Sequence, residues 1–351
     1  MWPTTKTLEE KYMARKTVVT NWVHPEVLDL LRTRGPVEFN SAREPWTRHE
    51  LVSRAREADA MVAFMTDHVD EAFLAQCPEL RVIACALKGA DNFDLVACRR
   101  SGVAVSIVPD LLTAPTAELT IGLMISLGRN LLQGDRKIRE GTFAGWRPIL
   151  YGSGLDGASV GIIGIGAVGQ AIAHRLRAFR CRLLYSDVRP LSPAKEDTAG
   201  LLRRNLLQLL SESDYVVLAL PLVENSFHII NGEAIARMKP GALLINPARG
   251  SLVDETAVAD ALEAGHLGGY AADVFELEDW ARADRPNRIE QRLLEHPHTI
   301  LTPHLGSAVD LVRRDIALAA ARDILRFLDG SPLQGGLSSH TTSIPIQQFA
   351  N

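Results

Sequence analysis

Val160-Gly161-Ile162-Ile163-Gly164-Ile165-Gly166-Ala167-Val168-Gly169 is the stretch whose reading decides the fold. It reads as a short apolar strand, a tight glycine turn and the start of a helix that continues from Gln170 to Phe179. Gly164, Gly166 and Gly169 stand at the G-x-G-x-x-G spacing of a dinucleotide fingerprint. Gly164 would allow the turn, Gly166 would let the backbone approach a pyrophosphate, and Gly169 would let helix and strand pack closely. The helix start, at Ala167 and Val168, would present free N–H groups to the phosphates. A second apolar run, Cys181 to Tyr185, ends in Asp187, 18 residues after Gly169. An acid there accepts hydrogen bonds from a ribose diol and repels a 2′-phosphate, which favours NAD over NADP. The bland alternative, a glycine-rich structural turn, leaves the strand, helix and acid unexplained.

On the N-terminal side, residues 1–15 read as a loose extension. Strands are expected at Thr17 to Trp22, Val37 to Phe39, Ala60 to Phe64 and Arg81 to Leu87. Helices are expected from Pro25 to about Thr33, Thr47 to Ala58 and Glu71 to Gln76. This alternation predicts an open parallel α/β domain, in which ligands sit beyond the carboxyl ends of strands. Met65 and Lys88 occupy two such ends. Pro109 to Pro115 is a break, and Ala117 to Ile138 is then apolar at helical spacing, as a core or subunit-contact helix would be. Gly141 to Gly157 is a loop carrying Trp146 and Tyr151. On the C-terminal side, strands are expected at Tyr215 to Leu220, Ala242 to Asn246, Gly269 to Val274 and Ile300-Leu301, with helices between them. A final helix from Val309 to Leu328 returns to the first domain. The polar tail from Ser331 shows little core-building pattern. The expectation is α/β with two doubly wound domains, one of 1–111 and 310–351 and the other, inserted, of 112–309.

The chain has 351 residues, 46% of them apolar and 23% charged, ordinary for a globular protein with two sizeable cores. A net charge of −4 gives no basic excess for general nucleic-acid binding, though a small anion needs only local positive charge. Cys77, Cys85, Cys98 and Cys181 form no C-x-x-C and no zinc-type cluster, so no metal is expected and the thiols read as reduced and mostly buried. There is no apolar leader-like segment near Met1 and no run as long as a membrane span, which predicts a cytoplasmic protein without a membrane partner.

Three ionisable residues follow strands of the nucleotide domain. Arg249 lies in Asn246-Pro247-Ala248-Arg249-Gly250, Glu278 five residues after Asp273, and His304 in Thr302-Pro303-His304-Leu305-Gly306-Ser307. A guanidinium can grip an anion with two donors. The imidazole is a candidate acid/base at neutral pH, and a carboxylate beside it would orient it and favour its charged form. Singly, each residue also has a structural reading: a surface ion pair, a solvated acid, a loop histidine. Their joint placement after strands of a nucleotide domain favours chemistry.

From about residue 16 to 328 the chain resembles the D-2-hydroxyacid dehydrogenase superfamily, on Gly164 to Gly169, Asn246 to Gly250, Asp273 to Glu278 and Thr302 to Gly306. The resemblance implies a flavodoxin-like substrate domain with an inserted Rossmann NAD-binding domain, a cleft active site, and homodimers joined through the helix that Ala117 to Ile138 resembles. It assigns catalysis to Arg249, Glu278 and His304. It also implies cofactor contacts at Thr116, Leu220, Pro221, Pro247, Ala248 and Asp273, joined by Lys88, Arg249 and His304. Within the superfamily the likeness is to phosphite dehydrogenases, carried by Ala63-Phe64-Met65, Ala86 to Asp94 and Glu276 to Pro286. Most members have a small residue where this chain has Lys88. Met65, Gly89, Trp146, Tyr151 and Ser307, with Lys88 and Arg249, match substrate-lining positions. Two departures stand out. The superfamily's usual E-P is Glu278-Asp279 here, as in phosphite dehydrogenases, and Asp187 stands where the resemblance implies Glu, both acids favouring NAD; Arg189, two residues further on, is a cation that would support NADP. The expected reaction is oxidation of phosphite by NAD. The alternatives are a hydroxyacid dehydrogenase or 2-ketoacid reductase acting on glyoxylate or hydroxypyruvate, and an NAD-responsive corepressor-like binding protein.

Overall fold

The computed structural model describes residues 16–108 and 110–337; the expected extension at 1–15 and the tail beyond 337 lie outside them. Two compact units result. One runs up to Leu112 and resumes at Val309; the other spans Thr113 to Ala308.

The first unit carries strands β1 (Thr17–Val19), β2 (Val37–Phe39), β3 (Ala60–Ala63), β4 (Val82–Cys85) and β5 (Ala104–Ile107), all parallel in the order β2-β1-β3-β4-β5. Successive side chains leave a strand on opposite faces, so each strand feeds two cores. Val62 and Ala84 pack with Ile316, Ala320 and Ile324 of the helix Asp310–Leu328. Met61 and Ile83 pack with Leu51, Phe73 and Ala97 on the other side. The strand order reverses between β1 and β3. There the buried carboxylate of Asp67 accepts from the Thr20 hydroxyl and from the Phe64 N–H at 2.7 Å.

The second unit carries β6 (Ser159–Ile163), β7 (Arg182–Ser186), β8 (Leu201–Arg203), β9 (Tyr215–Leu218), β10 (Ala242–Asn246), β11 (Leu267–Ala272) and β12 (Thr299–Leu301). Their order is β12-β11-β10-β9-β6-β7-β8, again all parallel. One face packs Leu184, Val216 and Leu244 against Leu209, Val258 and Leu262. The other packs Ile162, Val217 and Ile245 against Met124, Ile172 and Leu176. Register fixes where the loops begin. Ile163 pairs with Ser186 and with Leu218, so Gly164, Asp187 and Ala219 leave the sheet at one level. Among the described residues no helix is long and apolar enough to cross a membrane.

Several expectations need correction. The continuous helix from Ala117 to Ile138 is two helices, Thr113–Gly128 and Leu131–Arg139, separated by Asn130 in the left-handed region at φ 52°. The Gly128 carbonyl accepts from Ser153 N at 2.7 Å, and Gly152 packs so closely that a Cβ on it would lie 2.0 Å from that oxygen. The crossing segment thus takes the acceptor that a continuing helix would use. The break at Pro109 to Pro115 ends early, because Pro115 sits in the first turn of Thr113–Gly128, where its missing N–H costs nothing. Three elements were not expected: β5, β8 and the helix Leu95–Arg100, which Asp94 caps by accepting from Val96 N and Ala97 N. The start of the tail is pinned: Gln334 N and Gly335 N donate to the Asp323 carboxylate, and Leu337 N donates to Val105 O.

Burial raises the Asp67 carboxyl to about 6, against its two donors, from an ordinary 3.8. A folded-state value above the unfolded one means the contribution is fully present below 3.8 and is lost as pH rises through about 6. The loss amounts to about 3 kcal/mol at 1.4 kcal/mol per pH unit. Asp67→Asn keeps an oxygen that can accept both hydrogen bonds. It should raise the thermal midpoint relative to the parent at pH 7.5, and the difference should shrink at pH 4.5.

Candidate active site

The three fingerprint glycines do three different things. Gly164 has φ +92°, and a Cβ there would lie 2.5 Å from Ala219 O, so the turn after β6 tolerates no side chain. A Cβ on Gly169 would lie 2.2 Å from Gly164 O, which is the close packing of helix on strand. A Cβ on Gly166 would meet nothing within 4 Å. The fold therefore does not require glycine at 166, whereas a ligand approaching that backbone would. Gly166 also heads the helix Ala167–Leu176, and no side chain caps it, so the first N–H groups remain available to an anion. At the end of β7, one oxygen of Asp187 accepts from Ile165 N at 2.7 Å and the other from Arg189 N at 2.8 Å. Each oxygen keeps a lone pair for a ribose hydroxyl. These features fit NAD: Gly166 and the first turn of the helix would hold its pyrophosphate, and Asp187 its ribose.

The other expected residues follow β9 to β12. Ala219 and Leu220 flank Gly164, and Pro221 O accepts from the Ser226 hydroxyl. After β10, Asn246 ties its own loop: its amide donates to Arg249 O at 2.8 Å and its oxygen accepts from Ala248 N at 3.1 Å. Arg249 Nη1 donates to Ala248 O at 2.7 Å. A Cβ on Gly250 would lie 1.9 Å from the Phe275 carbonyl carbon, so this loop lies flush against the chain that follows β11.

Glu278 sits on the short 3-10 turn Glu276–Glu278, with one oxygen accepting from Phe275 N at 2.8 Å and the other meeting His304 Nδ1 at 2.6 Å. The structure therefore joins Glu278 and His304 as a pair, each about a quarter exposed. With Nδ1 committed to the carboxylate, Nε2 is the nitrogen left to exchange a proton. His304 has φ +57°, a left-handed conformation that costs a non-glycine residue about 1–3 kcal/mol. Asp273 holds it there. Its fully buried carboxylate accepts from Thr302 Oγ1 at 2.5 Å, Leu305 N at 2.7 Å and Gly306 N at 2.7 Å, and its carbonyl accepts from His304 N at 2.9 Å. Burial still raises the Asp273 carboxyl above its ordinary value, despite these donors. Thr116, in the first turn of Thr113–Gly128, lies beside Gly306, and Ser307 is buried next to it in the chain. Trp146 and Tyr151 are each 77% exposed on the loop after Gly141.

In the first unit, Met65 and Lys88 stand beyond β3 and β4, as the sequence implied. Met65 packs on the core and its carbonyl accepts from Asn92 Nδ2 at 3.0 Å. Lys88 and Gly89 are half-buried. Burial pushes the Lys88 ammonium below its ordinary value, and the negative charge of Asp110 opposes that. Sequence reasoning missed Arg313, whose guanidinium lies 5.8 Å from the Phe64 ring and donates to Ala86 O at 3.5 Å. More than 200 residues separate it from these neighbours, so no local pattern announces it.

Comparison with known proteins matches residues 121–306 to the model of the D-isomer specific 2-hydroxyacid dehydrogenase NAD-binding domain. The chain belongs to this family. A glyoxylate reductase of Pyrococcus horikoshii is 35% identical over 325 residues, covering 91% of this chain and 94% of that protein. One of Thermococcus onnurineus is 33% identical over 323 residues, with the same coverage. A crystal structure titled as a putative D-isomer specific 2-hydroxyacid dehydrogenase from Polaromonas superposes with TM-score 0.83 at 30% identity, covering 93% of this chain and all of that one. The family match makes the second unit the NAD-binding domain of a two-domain α/β dehydrogenase.

The glycines supply a test that separates fold from cofactor. Gly166→Ala should leave the thermal midpoint within about 2 °C and weaken NADH binding, read by fluorescence titration, by about tenfold or more, a loss of about 1.4 kcal/mol. Gly164→Ala and Gly169→Ala should lower the midpoint itself. Equal NADH affinity for Gly166→Ala and the parent would refute the placement of the pyrophosphate.

Proposed function

We propose that this NAD-dependent member of the 2-hydroxyacid dehydrogenase family oxidises phosphite to phosphate. Lys88 is the observation that carries the reading. Phosphite near neutrality is largely a dianion, whereas a 2-hydroxy acid carries one negative charge. Arg249 offers one fixed positive charge, and Lys88 offers a second at a strand end where such folds bind ligands. NAD, when bound, would accept at its nicotinamide ring the hydride that leaves as the P–H bond of phosphite breaks. His304 Nε2 takes the proton released as the oxygen of a water joins phosphorus. Glu278 holds the ring by Nδ1 and stabilises the imidazolium that forms. Arg249 orients the anion. Met65, Gly89, Trp146, Tyr151 and Ser307 are proposed to line the substrate, and Asp187 to favour NAD over NADP.

A second reading has its own support. The relatives are named for glyoxylate reduction, and those names favour reduction of a 2-oxoacid over oxidation of phosphite. In that direction Arg249 would hold the carboxylate and His304 would give its proton to the ketone oxygen. Identity near one third carries the shared chemistry of the family further than it carries substrate choice.

Purified protein should form NADH from NAD and phosphite, beside a panel of glyoxylate and hydroxypyruvate with NADH. Lys88→Ala should raise the KM for phosphite by about 10- to 100-fold, the worth of a charge-assisted contact. Rapid glyoxylate reduction with no phosphite-dependent NADH would establish the second reading instead.

The chain is further proposed to be a cytoplasmic homodimer. Leu131, Leu132, Ile138, Phe143 and Trp146 form an exposed apolar series on Leu131–Arg139 and the loop after it, and all four cysteines are free thiols. Sedimentation equilibrium should give twice the chain mass of 38.4 kDa. Leu132→Glu together with Ile138→Glu should shift it toward a single chain, and a parent that sediments as a monomer would refute the dimer.

A further inference from the structure

We infer that Asp279 and Ser251 form a positioning pair that fixes the Arg249 loop against the loops carrying Glu278 and His304. The inference rests on the site proposed above and adds what sets its spacing. Ser251 lies two residues beyond Arg249, and Asp279 one beyond Glu278. Both are almost fully buried, Ser251 at 0% and Asp279 at 4% exposure. One oxygen of Asp279 accepts both the Ser251 N–H, at 3.0 Å, and the Ser251 hydroxyl. The same hydroxyl accepts from Arg282 Nη1 at 2.6 Å, and that nitrogen also reaches Glu276 Oε2 at 3.3 Å. Glu276 in turn meets His228 Nε2 at 3.1 Å, and the Ser251 carbonyl accepts from His228 N at 2.8 Å. The arrangement closes on itself, so neither loop shifts without breaking several buried polar contacts.

A buried carboxylate is costly unless its partners compensate it, so Asp279 is a poor choice for filling space. The packing of Gly250 on Phe275 brings the two loops together without directing them. The two hydrogen bonds to a single oxygen supply the direction. Loss of the pair leaves the NAD-binding glycines and Asp187 untouched and lets Arg249 drift relative to the Glu278–His304 pair. Misplacement of about 1 Å costs about 100-fold in rate.

The test compares Asp279→Ala, Asp279→Asn and Ser251→Ala with the parent, using whichever of phosphite plus NAD or glyoxylate plus NADH the parent turns over. An asparagine oxygen can accept both Ser251 donors, so Asp279→Asn should keep kcat within about threefold of the parent. Asp279→Ala should lose about 10- to 100-fold in kcat, with NADH affinity within twofold of the parent. Ser251→Ala, which retains the N–H contact, should fall between them. It also carries the test if Asp279→Ala does not fold. Full kcat in Asp279→Ala or, where that variant does not fold, in Ser251→Ala would overturn the inference. So would an Asp279→Asn enzyme as impaired as the alanine variant, since charge rather than placement would then be at work. Arg249→Ala is run alongside. If it is inactive while Asp279→Ala is fully active, only this inference fails; if Arg249→Ala is itself active, the proposed site fails and the inference with it.

Discussion

Parallel pairing in fixed register is the constraint from which the rest of the nucleotide unit follows. Because Ile163, Ser186 and Leu218 pair side by side, Gly164, Asp187 and Ala219 emerge together; because Asn246, Ala272 and Leu301 pair likewise, so do Pro247, Asp273 and Thr302. A parallel sheet buried on both faces spends its side chains on the two cores, and only the strand ends are left for polar chemistry. The glycines, the arginine and the glutamate–histidine pair share one edge for that reason. The loops differ in what stabilises them: bare glycine backbone after β6, a side-chain clasp from Asn246 after β10, and buried carboxylates after β11.

Those carboxylates deserve comparison, since Asp273 and Asp279 are both taken out of water and both used as acceptors for a neighbouring loop. Asp273 collects two backbone N–H groups and a hydroxyl from the chain after β12, and so holds His304 in a left-handed conformation it would not adopt alone. Asp279 collects an N–H and a hydroxyl from the chain after β10. Each cost of desolvation is offset by contacts that require one loop geometry and no other. Rigid placement of this kind is what hydride transfer needs, because the reaction depends on orientation more than on any single strong group.

The sequence disclosed those features whose causes are local. The strand–glycine–helix fingerprint, Asp187 at the end of β7, and the positions of Arg249, Glu278 and His304 after strands all follow from spacing and alternation. The helix Glu71–Gln76 and the strands Val37–Phe39 and Ala242–Asn246 were legible to the residue, because caps and apolar runs mark their ends. What stayed hidden depends on partners distant in the chain. Nothing near Gly128 announces that Ser153 will take its carbonyl and end the helix. Nothing near Ser251 announces Asp279, and nothing near Ala86 announces Arg313. Likewise β8, at Leu201–Arg203, is too short for alternation to register, and exists because Leu183 and Leu184 offer it an edge.

Substrate choice falls on the residues for which local and family arguments diverge. Arg249 and the Glu278–His304 pair suit a carboxylate-bearing ketone and an oxyanion of phosphorus equally, since either needs one anion grip and one proton carrier. Lys88 does not suit both equally. A half-buried ammonium pays part of its hydration on folding, and burial already lowers its affinity for a proton. Such a group stays charged most favourably beside a ligand of high negative charge, and a dianion returns more of that lost hydration than a monoanion does. The phosphite proposal rests on that difference in ligand charge, while Asp110 already offsets part of what burial costs the Lys88 ammonium.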